Sequence, residues 1–155
     1  MIKKLNVNDK KSYMGLLDFV STIHDSDFYY TDNNSRIYPT EIYQLKKFFK
    51  EAKGVYTLKS KLDYTGVIVL IKSIGGDIER YYIKLLAIDT KVAEDLLTGL
   101  IWQYESIDLF VKINKQSKFL NVFKRKNFKF KGGRGTQILL KKDLYIKENN
   151  NVRFK

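Results

Sequence analysis

The residues of this 155-residue chain best suited to chemistry are cations near its end. Lys115, Lys118, Lys124, Arg125, Lys126, Lys129, Lys131 and Arg134 crowd one stretch, interleaved with Phe and Gly residues that let a phosphate approach the backbone. Their chemistry is electrostatic capture of an anion, with Lys124, Arg125, Lys126, Lys129, Lys131 and Arg134 as the predicted contacts. The same stretch also reads as a solvated helix face followed by an edge hairpin that lysines guard against aggregation. Gly132-Gly133-Arg134-Gly135 follows a strand rather than preceding a helix, so it reads as a hairpin and not as a phosphate loop. His24, Asp25 and Asp27 have metal-ligand residue types, yet a coordination shell needs Asp32 or a distant partner. A polar loop after a helix accounts for them, and no metal is predicted. With no cysteine, the chain has no disulfide, thiolate metal site or thiol nucleophile.

The elements that must position these cations follow from periodicity. Ile2 to Val7 reads as a short strand, and Asn8 as the N-cap of a helix carrying Leu16, Leu17, Val20 and Ile23 on one face. Pro39 suits the first turn of a second helix with Ile42, Leu45, Phe48, Phe49 and Ala52 as its stripe, and Gly54 as its stop. Val55 to Leu58 and Gly66 to Ile71 read as strands, the second so continuously apolar that both faces should be covered. Gly75-Gly76-Asp77 predicts a hairpin into Tyr81 to Ile88. Thr90 then caps a helix reaching Tyr104, and Leu109 to Ile113 is the next strand, so this passage implies a parallel crossover. A helix around Phe119, Val122 and Phe123 and two last strands, ending with Ile138 to Leu140, complete the order β-α-α-β-β-β-α-β-α-β-β. The predicted class is α/β (α+β): one domain over 1–146 with a mixed, mostly antiparallel sheet, helices on both faces, and a basic polar tail over 147–155.

Lys and Arg outnumber Asp and Glu by 29 to 17, a net charge of +12, which favours nucleic acid, an acidic protein or another anionic partner. A composition rich in Lys, Asn, Ile and Tyr also follows from an AT-rich genome, as in low-GC bacteria and their phages. No apolar run approaches the ~18 residues of a membrane span, and no apolar segment follows the basic residues at the start. The expectation is a cytoplasmic protein, in host cytoplasm or virion if phage-encoded, with no membrane partner.

The element order, together with Ile113-Asn114, then Val122-Phe123-Lys124-Arg125-Lys126-Asn127-Phe128, resembles the GNAT (GCN5-related N-acetyltransferase) superfamily over roughly Met1 to Lys142. The resemblance implies a pyrophosphate of acetyl-CoA held on backbone N–H groups between the fourth strand and third helix, where two spaced glycines admit it. Here that stretch is Ala87-Ile88-Asp89-Thr90-Lys91-Val92-Ala93-Glu94-Asp95-Leu96, without glycine and with three carboxylates. It also implies a tyrosine on the fourth helix as acid for the departing thiolate, and Phe123 stands at that place. Tyr104, Tyr81 and Tyr82 are other phenols, and Glu79 is a conceivable base, although an exposed Glu at a hairpin end is the plainer reading. The expectation is a GNAT-like domain with no catalytic residue and no cofactor, serving as a binding or structural module on nucleic acid or in a larger assembly such as a phage particle. The alternative is an acyl-CoA-dependent N-acetyltransferase holding acetyl-CoA through a divergent loop at Lys91, Val92 and Ala93, with Asn114 beside it.

Overall fold

The apolar run expected at the centre of the sheet is covered on both sides. In the computed structural model, which describes residues 2–6, 8–23, 42–75 and 78–142, Val67, Ile68, Val69 and Leu70 of the strand Asp63–Gly75 have no exposed surface. Successive side chains of a strand point to opposite faces. Ile68 and Leu70 accordingly join one apolar cluster, and Val67 and Val69 the other. Burying a side chain of this size contributes roughly 1.5–3 kcal/mol, so a charge at any of the four breaks one of two cores.

The elements in chain order are β1 (Lys3–Lys4), α1 (Lys10–Ile23), α2 (Ile42–Glu51), β2 (Gly54–Ser60), β3 (Asp63–Gly75), β4 (Ile78–Ala87), α3 (Thr90–Gln103), β5 (Leu109–Asn114), α4 (Leu120–Arg125), β6 (Phe128–Arg134) and β7 (Gln137–Lys142). Among the described residues the strands form one sheet in the order β1-β2-β3-β4-β5-β7-β6, antiparallel throughout except for the β4–β5 pair. The predicted hairpin joins β3 to β4, with Gly75 opposite Ile78, and α3 makes the predicted parallel crossover. Tyr13, Leu16 and Val20 of α1 and Phe49 of α2 cover one face, and Ala93, Leu96, Leu97 and Leu100 of α3 with Val122 and Phe123 of α4 cover the other. Helix α3 lies so near β3 that a Cβ on Gly66 would come 2.6 Å from Leu96 and 2.7 Å from Val92. Glycine at that position sets the helix-to-sheet spacing.

Several local expectations are corrected. The cap of α1 is Asp9, not Asn8: Asp9 accepts from the Lys11 N–H (3.1 Å) and the Ser12 hydroxyl (2.9 Å), while the Asn8 N–H is bound to Asn6. The cap of α3 is Asp89, and Thr90 is already its first helical residue. Gly54 does not stop α2 but opens β2 opposite Leu70, after a turn through Ala52 and Lys53. The last strand, β7, inserts between β5 and β6 and leaves β6 at the edge. The glycine-rich stretch is a hairpin, as expected, turning at Gly135 with φ of +61°. Pro39, Gly76-Asp77 and the tail at 147–155 lie outside the described residues. No helix among the described residues is long and apolar enough to cross a membrane.

Candidate functional site

The start of α3 is built from its own residues. Ile88 is tied to the sheet by its N–H to the Thr65 carbonyl (3.0 Å), which brings Asp89 in extended backbone to the head of the helix. The Asp89 carboxylate accepts from the Val92 N–H at 2.8 Å, and the Asp89 carbonyl accepts from the Ala93 N–H at 3.1 Å. Two of the three backbone groups expected at a pyrophosphate, those of Val92 and Ala93, are therefore satisfied within the chain, one of them by an anion. Lys91 turns its ammonium to Asp95 at 2.9 Å, a pairing that raises the lysine's pKa above its ordinary value. The end of the helix that attracts anions is thus closed by a carboxylate, with Glu94 and Asp95 following within the next turn.

Beside it, β4 and β5 part. Their register runs Tyr81↔Leu109, Tyr82↔Phe110 and Ile83↔Val111, after which β5 pairs only with β7, up to Asn114↔Gln137, while β4 continues to Ala87. On the helical side of the parting, Leu85, Ala87 and Ile113 share one cluster with Ala93, Val122 and Phe123, none more than 1% exposed. Phe123 stands edge-on to Phe128 at 5.0 Å, so its ring fastens α4 to β6. Asn127 between them takes φ of +69°, a left-handed turn that asparagine tolerates and that brings the chain straight from helix to strand. Asn114 spends its side-chain oxygen on the Gln116 N–H (2.8 Å), forming the turn after β5.

The phenols lie elsewhere. Tyr104, at the C-terminal end of α3, has its hydroxyl 3.0 Å from that of Tyr56, and burial followed by this hydrogen bond pushes its pKa well up, so it holds its proton tightly. Tyr81 lies under the Lys53 ammonium at 5.3 Å. Glu79 belongs to β4 opposite Ile74. His24, Asp25, Asp27 and Asp32 lie outside the described residues.

The six predicted anion contacts divide. Arg125 and Lys126 reach across to α3 and pair with Glu94 at 3.3 and 3.7 Å. Lys124 is exposed beside them, while Lys129, Lys131 and Arg134 are exposed along the edge strand β6. Lys131 sits at a bulge, between Phe130↔Leu140 and Gly132↔Leu139. At about 3.3 Å per residue, Arg134 stands roughly 20 Å along β6 from Phe128, so the cations form a band rather than a single cluster. A second group was not anticipated. On the sheet face opposite α3, Arg80 lies over the Phe110 ring (4.9 Å) and Lys112 over the Tyr82 ring (5.0 Å), the two rings being 5.8 Å apart. Arg80-x-Tyr82 and Phe110-x-Lys112 have the period of a strand, but their meeting depends on the β4–β5 register.

No protein-family model and no curated protein sequence matches this chain. Solved structures do resemble it. A GNAT-family acetyltransferase from Streptococcus pneumoniae superposes with a TM-score of 0.69 at 12% identity, covering 92% of this chain and 98% of its own. A ribosomal-protein-alanine N-acetyltransferase from Brucella melitensis gives 0.70 at 11%, covering 92% and 98%. The aminoglycoside 6'-N-acetyltransferase from Enterococcus faecium gives 0.68 at 10%, covering 93% and 97%. At such identities the likeness is one of architecture alone, and with the strand order and the parting of β4 from β5 it establishes that this chain has the GNAT fold.

Proposed function

We propose that this domain uses the GNAT fold as a cytoplasmic binding module for nucleic acid and has given up the acetyl-CoA chemistry of the enzymes it resembles. The observation that carries this reading is the Asp89 cap. A pyrophosphate at the start of α3 would have to displace the Asp89 carboxylate from the Val92 N–H. Phe123, at the place of the tyrosine acid, has no proton to give and is fully buried. The affinity for nucleic acid comes from Lys124, Lys129, Lys131 and Arg134, none of which has a carboxylate partner among the described residues. Neutralised phosphates release counterions, which gives affinity that falls steeply with salt.

Calorimetry with acetyl-CoA at moderate salt, with desulfo-CoA and inorganic polyphosphate as controls, tests the first half of the proposal. Binding no tighter than the polyphosphate background is expected, and binding that depends on the acyl group refutes it. Charge reversal at Lys124 and Lys129 tests the second half, since unchanged affinity for nucleic acid removes the proposed surface.

The parting of β4 and β5 favours a second reading, an acyl-CoA-dependent N-acetyltransferase with a divergent loop, because strands that separate leave backbone groups free to meet an extended ligand. Holding an amine beside a thioester can by itself supply on the order of 7–11 kcal/mol of the barrier, so Phe123 does not exclude turnover. Acyl-sensitive binding in the same calorimetry selects this reading.

A further inference from the structure

At the opposite edge of the sheet from β6, a cavity of about 410 Å³ opens between β1, the β2–β3 turn and the start of α1. Lys3, Lys4, Lys59 and Lys61 line it together with Ser12 and Tyr64, and among the described residues no acidic one does. Lys91, Arg125, Lys126 and Lys141, by contrast, are paired with carboxylates at Asp95, Glu94 and Asp108. None of the four cavity lysines has an ion pair within the described residues. The adjacent Asp9 carboxylate is turned to the Lys11 N–H and the Ser12 hydroxyl.

The local backbone is shaped to bring these cations together. A register shift after Leu58↔Gly66 skips Thr65, so that Lys59 faces Tyr64; such bulges re-aim side chains. The Thr65 hydroxyl fixes the bulge by donating to the Leu58 carbonyl at 3.1 Å. The Lys59 ammonium is held over the Tyr64 ring at 4.5 Å. Lys61 follows with φ of +58°, a left-handed position in a two-residue hairpin turn where glycine is unstrained and lysine is not. Lys3 arrives from the neighbouring strand opposite Thr57, which also lines the cavity. Like charges brought together without counter-charge repel, and a strained lysine at the turn adds to the cost. Both are offset when a multivalent anion binds.

We infer that this cavity is a binding site for a small phosphate-bearing anion, of the size of a pyrophosphate or a nucleoside diphosphate, separate from the nucleic-acid surface of α4 and β6. Ammonium groups on flexible stems neutralise a phosphate from several sides without demanding a fixed geometry.

The test is an amide NMR titration of the whole chain with inorganic pyrophosphate, run in parallel with a short single-stranded oligonucleotide. Pyrophosphate is expected to shift the amides of Lys3, Ser12, Lys59, Lys61 and Tyr64 saturably, and Lys59→Gln with Lys61→Gln to weaken binding tenfold or more. Lys129→Gln with Arg134→Gln is expected to leave pyrophosphate binding unchanged. Lys61→Gly separates charge from fold, because it removes the ammonium while relieving the strained φ: binding should fall about threefold while the melting temperature holds or rises. Shifts spread evenly over all surface lysines, or pyrophosphate affinity unaltered by the Lys59 and Lys61 variants, overturn the site. Shifts at this cavity produced by the oligonucleotide and not by pyrophosphate also overturn it, since the ligand is then polymeric. Loss of nucleic-acid binding in the Lys124 and Lys129 variants alone leaves this site standing, so the two proposals fail separately.

Discussion

Replacing Asp89 by alanine removes the carboxylate that accepts the Val92 N–H at 2.8 Å and leaves the helix backbone otherwise intact. Losses of an N-cap centre on about 1 kcal/mol, and because Asp89 is exposed, water can partly replace the lost acceptor. For a domain of this size that lowers the melting temperature by roughly 2–4 °C. At a urea slope of about 2 kcal/mol/M it lowers the midpoint by roughly 0.5 M. Asp89→Asn distinguishes cap from charge, since asparagine caps as well as aspartate and forfeits only a helix-dipole contribution of roughly 0.3–1 kcal/mol. The expected order of stability is therefore wild type, Asp89→Asn, Asp89→Ala. Both variants lose the anion at the helix head. A unit charge at about 4 Å is worth about 1 kcal/mol at the dielectric of water, so pyrophosphate at this helix end should gain roughly fivefold in both. Equal stability of wild type and Asp89→Ala refutes the cap. A cap confirmed by stability, with no gain in anion affinity at α3, refutes the argument that Asp89 blocks the site.

Glu94→Gln frees Arg125 and Lys126 from their interhelix pairs, so nucleic-acid affinity at low salt should rise about threefold with a steeper salt dependence, read by fluorescence anisotropy; as a surface pair its loss costs no more than about 1 kcal/mol. Phe123→Tyr places a hydroxyl in the core and should lower stability by about 1–3 kcal/mol in urea denaturation, without creating acetyl transfer from acetyl-CoA. The Ser12 hydroxyl, with the backbone of Lys11 and Ser12, holds the Asp9 carboxyl below its ordinary 3.8, so its contribution to stability is complete above that value and lost as pH falls through the lower folded pKa. Carbon-detected NMR titration should show the Asp9 pKa moving back up in Ser12→Ala. Tyr104→Phe removes the hydroxyl contact with Tyr56 and should destabilise the fold by about 1 kcal/mol without moving nucleic-acid affinity.

What was legible in the sequence is what depends on short-range pattern. An unbroken apolar run predicts a strand covered on both faces, and Val67 to Leu70 obey it because α1 and α3 lie on opposite sides. The crossover through α3 follows from strand, helix and strand in succession. The caps were displaced by one residue because Asn8 and Asp9, or Asp89 and Thr90, are all competent, and the choice fell to whichever side-chain oxygen the preceding backbone aimed at the helix. The insertion of β7 between β5 and β6 is a long-range pairing that no local pattern announces. The lysine cavity was illegible for the same reason: Lys3 and Lys59 line one cavity only once β1 pairs with β2 and the bulge at Thr65 has set Lys59 opposite Tyr64.

Three residues at α3 and α4 have contacts within the fold: Asp89 caps α3, Glu94 ties α3 to α4, and Phe123 fills the core. Functional sites tend to be less stable than the fold could make them, because activity needs groups that packing alone does not favour. In a working site, trimming such residues is often neutral or stabilising. If the proposed reading holds, the sign is reversed here, and Asp89→Ala and Glu94→Gln should each lower stability and raise affinity for an anion. The double variant tests their independence. Val92 and Arg125 are different partners, so the two losses should add to within about 0.5 kcal/mol. A double variant more stable than wild type would mean that both carboxylates are held against the preference of the fold, and a site at α3 that uses them would have to be sought.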